Sequence, residues 1–116
     1  CLVEGACSTE DDVARLRVAR ERARVLVALG DCAGWGNVTA LRDAVGGAIP
    51  VLALGWGARR RDPSLPALLA RVLPIAEVVA VDAFLPGCPP DAADILGCTI
   101  ALAEGGPPPR APRPFG

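Results

Sequence analysis

Short, continuously apolar runs alternate along the chain with stretches of helical periodicity, and this alternation is the strongest constraint on the fold. The apolar runs cover residues 1–3, 24–30, 49–55 and 77–87, and two of them, RVLVALG and IPVLALG, repeat one pattern. Runs that are apolar on both faces are typical of strands buried inside a parallel sheet. We therefore predict four buried strands, each connected to the next by a helix.

The stretches between these runs predict the crossover helices. Ser8 and Thr9 are candidate N-caps of the first helix, because each is followed three residues later by an acid. Further helices are predicted over residues 38–45, 65–73 and 91–104. Alternating strands and helices imply an α/β fold with a parallel sheet and right-handed connections.

Composition narrows the class of protein. The 116 residues are 52% hydrophobic, which suffices for a buried core, and the net charge of −1 gives no basic excess to attract nucleic acid. The longest apolar stretches fall short of the roughly 20 residues of a membrane helix, and no leader sequence is visible. Five dispersed cysteines argue against a disulfide scaffold. We expect a cytoplasmic chain with no membrane span and no nucleic-acid partner.

The chain begins at Cys1 within an apolar run and without an initiating methionine, so we expect the natural N-terminus to lie upstream. We predict that residues 1–104 form one domain whose first strand is missing from this sequence. Residues 105–116 are rich in proline, and we expect them to form an extended tail.

Cysteines follow the ends of three predicted strands. In open parallel sheets, ligands bind outside the carboxyl ends of the strands, so the loops that follow the strands carry the function. Three of the four such loops contain a cysteine: EGACST has Cys7, GDCAGWGN has Cys32 and PGCPPD has Cys88. The sequence therefore places these three thiols on one edge of one sheet.

Two kinds of ligand fit these loops. Thiolates without any histidine suit an iron–sulfur cluster or zinc, although the paired C-x-x-C knuckles usual for zinc are absent. Cys88 stands between Gly87 and Pro89-Pro90, which holds the thiol stiffly either as a ligand or merely within a rigid turn. Residues 34–39, GWGNVT, match part of the dinucleotide fingerprint and leave a nucleotide site as a weaker alternative.

The remaining cysteines have structural interpretations. Cys98 lies at helical spacing with Ile95 and Leu102 and is predicted to be a core residue, and Cys1 is interpreted in the same way within its strand. Cys7 is ambiguous, because just before Ser8 it is either a ligand or a residue that merely precedes the helix.

Three acids stand beside predicted strand or helix ends. Asp31 and Asp91 are interpreted as turn or cap residues. Glu4 ends a buried strand, so its carboxylate is either exposed at the loop or placed for proton handling.

Three segments together resemble the small subunit of [NiFe] hydrogenases: LVEGA (2–6), ALGDCAGWG (28–36) and FLPGCPPDA (84–92). The resemblance covers residues 2 to about 104 and is greatest to the short cytoplasmic branch that works with NAD-linked or other soluble partners. The wider superfamily includes the 20 kDa subunit of NADH:quinone oxidoreductase. The resemblance implies a flavodoxin-like parallel sheet with helices on both faces, in three layers α/β/α.

The resemblance also implies a cofactor and its ligands. In this family the domain carries a proximal [4Fe–4S] cluster, and Cys32 and Cys88 match its third and fourth ligands. Glu4 matches a glutamate that faces the large subunit, whereas Cys7 matches no ligand. The first two family ligands come from a C-x-x-C segment before the opening strand, and this chain lacks that segment.

The function that the resemblance implies is electron relay. Electrons would pass between the Ni–Fe site of a separate large subunit and a diaphorase or other electron-transfer subunit, with no independent catalysis by this chain. Another subunit would then cover the sheet edge that carries Glu4, Trp35 and Trp56. The alternatives are a 20 kDa-type cluster subunit of an NADH:quinone oxidoreductase and a non-redox, nucleotide-binding or structural flavodoxin-like domain.

Overall fold

A computed structural model describes residues 1–57 and 64–108. Its strands within these ranges are β1 (Leu2–Glu4), β2 (Cys7–Thr9), β3 (Val27–Leu29), β4 (Leu68–Leu73) and β5 (Ala83–Leu85). Its α-helices are α1 (Glu10–Arg22), α2 (Gly30–Trp35), α3 (Leu41–Ala44), α4 (Ala48–Trp56) and α5 (Ala92–Ala103). Short 3₁₀ helices cover Asn37–Ala40 and Ile75–Glu77.

A three-stranded parallel sheet in the order β1-β3-β5 is the centre of the fold. The central strand β3 aligns Ala28 with Val3 on one side and Phe84 on the other. Neighbouring positions of β3 face opposite layers, since Ala28 packs in a cluster with Leu16 of α1 while Val27 packs with Cys98 of α5. The predicted α/β class, with a parallel sheet between helices, is confirmed.

The first helix begins at one of the two N-caps predicted from the sequence. Thr9 is the N-cap of α1, because its hydroxyl accepts a hydrogen bond from the Asp12 N–H at 3.1 Å and the Asp12 carboxylate accepts one from the Thr9 N–H at 2.9 Å. Partial burial opposes ionisation of Asp12, but hydrogen bonds from Ser8 and Thr9 outweigh it and lower the pKa of this carboxyl below its ordinary value. This reciprocal capping fixes α1 at the end of β2.

Two further helical predictions are confirmed. The predicted helix over residues 38–45 forms as the 3₁₀ helix Asn37–Ala40 and the short α3. The predicted helix over 91–104 forms as α5, and the Asp91 carboxylate caps it by accepting from the Ala93 N–H at 2.8 Å. Asp91 is therefore the cap residue that the sequence indicated.

The predicted strand over residues 49–55 is wrong, because this run forms α4. Gly46 and Gly47, both with positive φ, turn the chain immediately before the helix. The side chains of Ile49 and Leu54 are largely exposed instead of buried on two faces. A short apolar run has no period that separates a buried strand from an apolar helix, and the prediction failed for that reason.

The predicted helix over residues 65–73 is also wrong, because most of this stretch forms β4, paired antiparallel with β2. Side chains of α3 hold the new strand: Arg42 Nη2 donates to the Leu69 carbonyl at 2.8 Å and the Asp43 carboxylate accepts from the Val72 N–H at 2.9 Å. These contacts are remote in sequence, so tertiary pairing overrides the local helical pattern. The strand predicted over 77–87 shortens to β5, with a 3₁₀ helix starting at Ile75.

The first apolar run forms β1, but this strand lies at the edge of the sheet. Cys1 precedes it and is exposed, so its interpretation as a core residue is wrong. The terminal ammonium of Cys1 instead donates to the Val25 carbonyl at 2.8 Å.

Within the two described ranges, no single helix is long and apolar enough to cross a membrane. The helical stretches Asn37–Ala44 and Ala48–Gly55 reach that length and composition only when taken together, and they are bent by 91° from one another.

Candidate functional site: a cysteine-bearing sheet edge

The three strand ends predicted to carry cysteines lie side by side. Because β1, β3 and β5 are parallel neighbours, their carboxyl ends share one edge of the sheet, and the loops to Cys7, Cys32 and Cys88 leave from it. We call the first turn of α2 (residues 30–32) and the loop of residues 86–88 together the cysteine edge, and refer to them as the two cysteine loops.

Two hydrogen bonds join the loops of the cysteine edge. The Asp31 N–H donates to the Gly87 carbonyl at 2.9 Å, and the Gly87 N–H donates to Asp31 Oδ1 at 2.7 Å. Since Cys32 and Cys88 directly follow these two residues, the pair of bonds joins the two segments that carry the cysteines predicted as ligands.

Glycine is required where these loops approach each other. Gly30 and Gly87 have φ of +81° and +130°, which side chains rarely adopt. A Cβ on Gly87 would lie 2.5 Å from Pro90 Cα, and one on Gly30 would lie 3.3 Å from the Gly87 carbonyl oxygen. Pro90 is buried, and a Cβ on Gly30 would lie 3.5 Å from its Cδ, so the turn that carries Cys88 packs onto the start of α2.

The two thiols of the cysteine edge are free and reachable. Cys32 is half-buried and Cys88 is exposed, and neither forms a disulfide. Within residues 1–57 and 64–108, no group of three cysteine, aspartate or glutamate side chains is arranged to hold a metal ion. The described residues thus place two free cysteines at this edge.

Cys7 is placed in the core instead of with these two thiols. Only 3% of it is exposed, and it packs with Leu16 and Ile75. Burial raises the pKa of the Cys7 thiol, and the Asp12 carboxylate raises it further, so Cys7 is held as a neutral thiol.

Cys98 is a core residue, as the sequence predicted. It is 1% exposed on α5, where it packs with Val27 and Leu85. Burial raises the pKa of its thiol, which keeps the group neutral and inert.

The glycine-rich stretch of residues 34–39 spans the end of α2 and the start of the 3₁₀ helix Asn37–Ala40. A Cβ on Gly34 would lie 2.5 Å from the Phe84 ring, and the same ring meets Trp35 edge-on with centroids 5.3 Å apart. The absence of a side chain at Gly34 therefore lets the Phe84 ring pack closely against α2, the helix that carries Cys32. Trp35 is half-buried.

Glu4 is exposed at the carboxyl end of β1, on the same sheet edge as the two cysteine loops. It lines a cavity of about 220 Å³ together with Gly5, Ala6, Arg15 of α1 and Ile75. The exposed-loop interpretation of Glu4 is confirmed, while its role in proton handling stays a prediction.

Asp31 is the site residue whose role sequence reasoning missed. It was interpreted as a turn or cap residue, but its carboxylate joins two loops that are 56 positions apart. Its position directly before Cys32 was the available signal. The predicted loop GWGARRR lies partly outside the described residues, and the Trp56 side chain also lies outside them.

Comparison with known proteins gives consistent matches. The family described as NADH ubiquinone oxidoreductase, 20 Kd subunit, matches residues 1–102. The chain is 34% identical to the NAD-reducing hydrogenase HoxS subunit delta of Cupriavidus necator, over 90% of this chain and 55% of that protein. It is 35% identical to the Sulfhydrogenase 2 subunit delta of Pyrococcus furiosus, over 90% of this chain and 41% of that protein.

A solved structure has the same fold. The crystal structure of NAD⁺-reducing [NiFe]-hydrogenase in the H₂-reduced state contains a chain that matches with a TM-score of 0.83 and 38% identity, over 97% of this chain and 67% of that chain. The present chain spans about half the length of the curated relatives it matches.

Proposed function

The chain belongs to the family of the NADH ubiquinone oxidoreductase 20 kDa subunit, which confirms the predicted resemblance, and we propose that it is the electron-transfer small subunit of a soluble [NiFe] hydrogenase. In this role it relays electrons between a Ni–Fe large subunit and a NAD-linked or other soluble partner. Hydrogen activation belongs to the large subunit, and this chain carries out no catalysis by itself.

The observation that carries the proposal is the pair of hydrogen bonds between Asp31 and Gly87, which joins the two segments that carry Cys32 and Cys88. Two reachable thiols in a chain without histidine fit half of the four-thiolate set of a [4Fe–4S] cluster. We propose that residues 1–104 form the cluster-bearing domain and that the other two thiolates come from the C-x-x-C segment that precedes the opening strand in this family. Most of the tail predicted over residues 105–116 lies outside the described residues, which end at 108.

A bound [4Fe–4S] cluster would supply one-electron transfer at this edge. The chain's own residues do the positioning. Cys32 and Cys88 would ligate iron, Asp31 fixes the separation of their loops, and Gly30 and Gly87 let the backbones approach each other. Backbone N–H groups and packing around the thiolates tune the redox potential in such sites.

The partners in this proposal are the large subunit and a diaphorase or other electron-transfer subunit. Glu4 lies on the same edge as the cysteines, so its carboxylate would face the large subunit and is proposed to handle protons there. All five cysteines are free, which supports a reducing cytoplasmic location.

One observation favours a second candidate function. The matching family takes its description from the 20 kDa subunit of NADH ubiquinone oxidoreductase, so a cluster subunit of that enzyme is the alternative. The curated relatives described above are hydrogenase subunits, and their names support the hydrogenase assignment instead.

The test is ligand replacement in the assembled complex. The chain would be expressed with its preceding coding sequence and its partner subunits, purified anaerobically, and assayed for iron, acid-labile sulfide and the electron paramagnetic resonance of the reduced cluster. Cys32→Ser and Cys88→Ser are expected to lose this cluster, whereas the control Cys1→Ser, at an exposed cysteine away from the edge, retains it. Unchanged cluster content in Cys32→Ser or Cys88→Ser would refute the ligand assignment.

A further inference from the structure

Asp31 is an ionisable side chain at the junction of the two cysteine loops. It directly precedes Cys32 in the chain, and its Oδ1 lies 2.7 Å from the backbone nitrogen of Gly87, which directly precedes Cys88. The carboxylate therefore lies between the two segments that carry the proposed ligands. Besides joining the loops, it places a negative charge beside the residues that would hold a redox group.

The charge of Asp31 has no basic partner among the residues that the structure describes. The ion pairs within residues 1–57 and 64–108 are Arg20–Asp82, Arg42–Asp43 and Arg71–Glu77. The segments around the two cysteines also lack cations, since neither residues 25–41 nor residues 72–109 contain an arginine or a lysine. Within the described ranges, the Asp31 carboxylate is thus balanced by the backbone dipole of Gly87 and not by a charged side chain.

The same pair of hydrogen bonds occupies two backbone N–H groups next to the cysteines. The Asp31 N–H donates to the Gly87 carbonyl at 2.9 Å, and the Gly87 N–H donates to Asp31 Oδ1 at 2.7 Å. In iron–sulfur proteins, N–H groups that donate to the sulfurs stabilise the more negative, reduced form of the cluster. Since these two donors are already engaged, they are withheld from a cluster sulfur.

The charge and the engaged donors act in the same direction. Reduction adds one electron to a cluster, and hence one negative charge, and a fixed carboxylate nearby opposes this addition by Coulomb repulsion. Asp31 is half-buried, so its charge is screened less than that of a side chain fully in water. Two thiolates held in this way favour a lower reduction potential than the same thiolates without the carboxylate.

We propose that the Asp31 carboxylate lowers the reduction potential of the cluster held by Cys32 and Cys88. The inference rests on the proposed function, and it adds to the positioning role of Asp31 an electrostatic one that depends on its charge and not on its shape. A cluster of lower potential is a stronger electron donor once it is reduced. Asp31 would therefore help to set how readily this site passes electrons on.

The test separates charge from shape with two substitutions at one position. Asp31→Asn keeps the shape and an oxygen that can accept from the Gly87 N–H but removes the charge, whereas Asp31→Glu keeps the charge and lengthens the side chain. Each variant is expressed in the full chain with its preceding coding sequence and its partner subunits, and the complex is purified anaerobically. The electron paramagnetic resonance signal of this site, identified by its absence from Cys32→Ser, is titrated against potential.

The expected result is a change of potential that follows the charge. At the midpoint potential of the unchanged complex, Asp31→Asn should raise the ratio of reduced to oxidised cluster at least about threefold, and Asp31→Glu should change it little. The matched control Glu21→Gln removes an exposed carboxylate near the end of α1, before the amino end of β3 and away from the cysteine edge, and should leave the ratio unchanged. A purely structural role of Asp31 would change the amount of bound cluster and not its potential.

Three outcomes would contradict the proposals in different ways. An Asp31→Asn complex whose cluster has an unchanged potential would overturn this inference and leave the proposed function standing. If Asp31→Asn holds no cluster, Asp31→Ser, whose hydroxyl is a shorter acceptor, is titrated under the same criterion, and loss of the cluster from both variants would assign Asp31 to positioning alone. An unchanged complex without this cluster signal would overturn the proposed function as well as the inference.

Discussion

Removing the Asp31 carboxylate should loosen the cysteine edge by a predictable amount. Asp31→Ala deletes the acceptor of the Gly87 N–H but leaves the backbone bond from the Asp31 N–H to the Gly87 carbonyl. Hydrogen bonds to charged groups contribute about 1.5–3 kcal/mol. Gly87 is only half-buried, so water can reach the freed N–H, and we expect the lower end of that range, about 1.5 kcal/mol.

The assay is urea unfolding followed by far-UV circular dichroism, on the chain and on its variants at one pH and salt concentration. Asp31→Asn keeps an uncharged acceptor and should lose about half as much stability as Asp31→Ala. Glu21→Ala, which removes an exposed carboxylate from α1, is the control and should change the unfolding free energy by less than about 0.5 kcal/mol.

The same variants should also change the amount of cluster that the assembled complex binds. If Asp31 fixes the spacing of the two cysteine loops, Asp31→Ala should lower cluster content in the assembled complex, and Asp31→Asn should lower it less. An Asp31→Ala chain as stable as the original and with full cluster content would show that the hydrogen-bond pair does not position Cys32 and Cys88.

Two further predictions concern α1 and the turn before Cys88. The Asp12 carboxyl has a pKa below its ordinary value of 3.8, so its contribution to stability is complete above pH 3.8 and is lost as the pH falls through the folded-state pKa. Asp12→Asn should therefore lower the unfolding free energy at pH 7 and reduce its decline between pH 7 and 2, as measured by urea unfolding. An unchanged decline would contradict the prediction. Gly87→Ala places a Cβ 2.5 Å from Pro90 Cα at φ +130°, so it should lower the free energy of unfolding in urea by about 3 kcal/mol or more. The control Gly97→Ala has open space around its Cβ and should not destabilise the chain.

The cysteine edge could be predicted because its signals are local. The apolar run before Gly30 predicted β3, and PGCPP predicted a stiff turn after the last strand, so the parallel topology alone was enough to bring Cys32 near Cys88. The capping role of Thr9 was likewise readable from the acid three residues later.

The errors arose where structure depends on distant partners. The local pattern of residues 65–73 does not indicate that they pair with β2. The contacts that hold β4 come from Arg42 and Asp43, which are distant in sequence. The run 49–55 has no polar residue to mark a period, so its exposure as α4 could not be read from its own pattern. The role of Asp31 was hidden for the same reason, since its partner is 56 positions away.

That separation between Asp31 and Gly87 determines when the site can exist during biosynthesis. In a chain emerging from the ribosome Cys32 is made early, but Cys88 cannot lie on the neighbouring segment until residue 88 has been made and β5 has paired with β3. Closing a loop of this length carries an entropic cost that only the assembled sheet offsets. If the proposed cluster binds here, delivery of iron and sulfide to this edge would therefore have to follow the folding of the sheet.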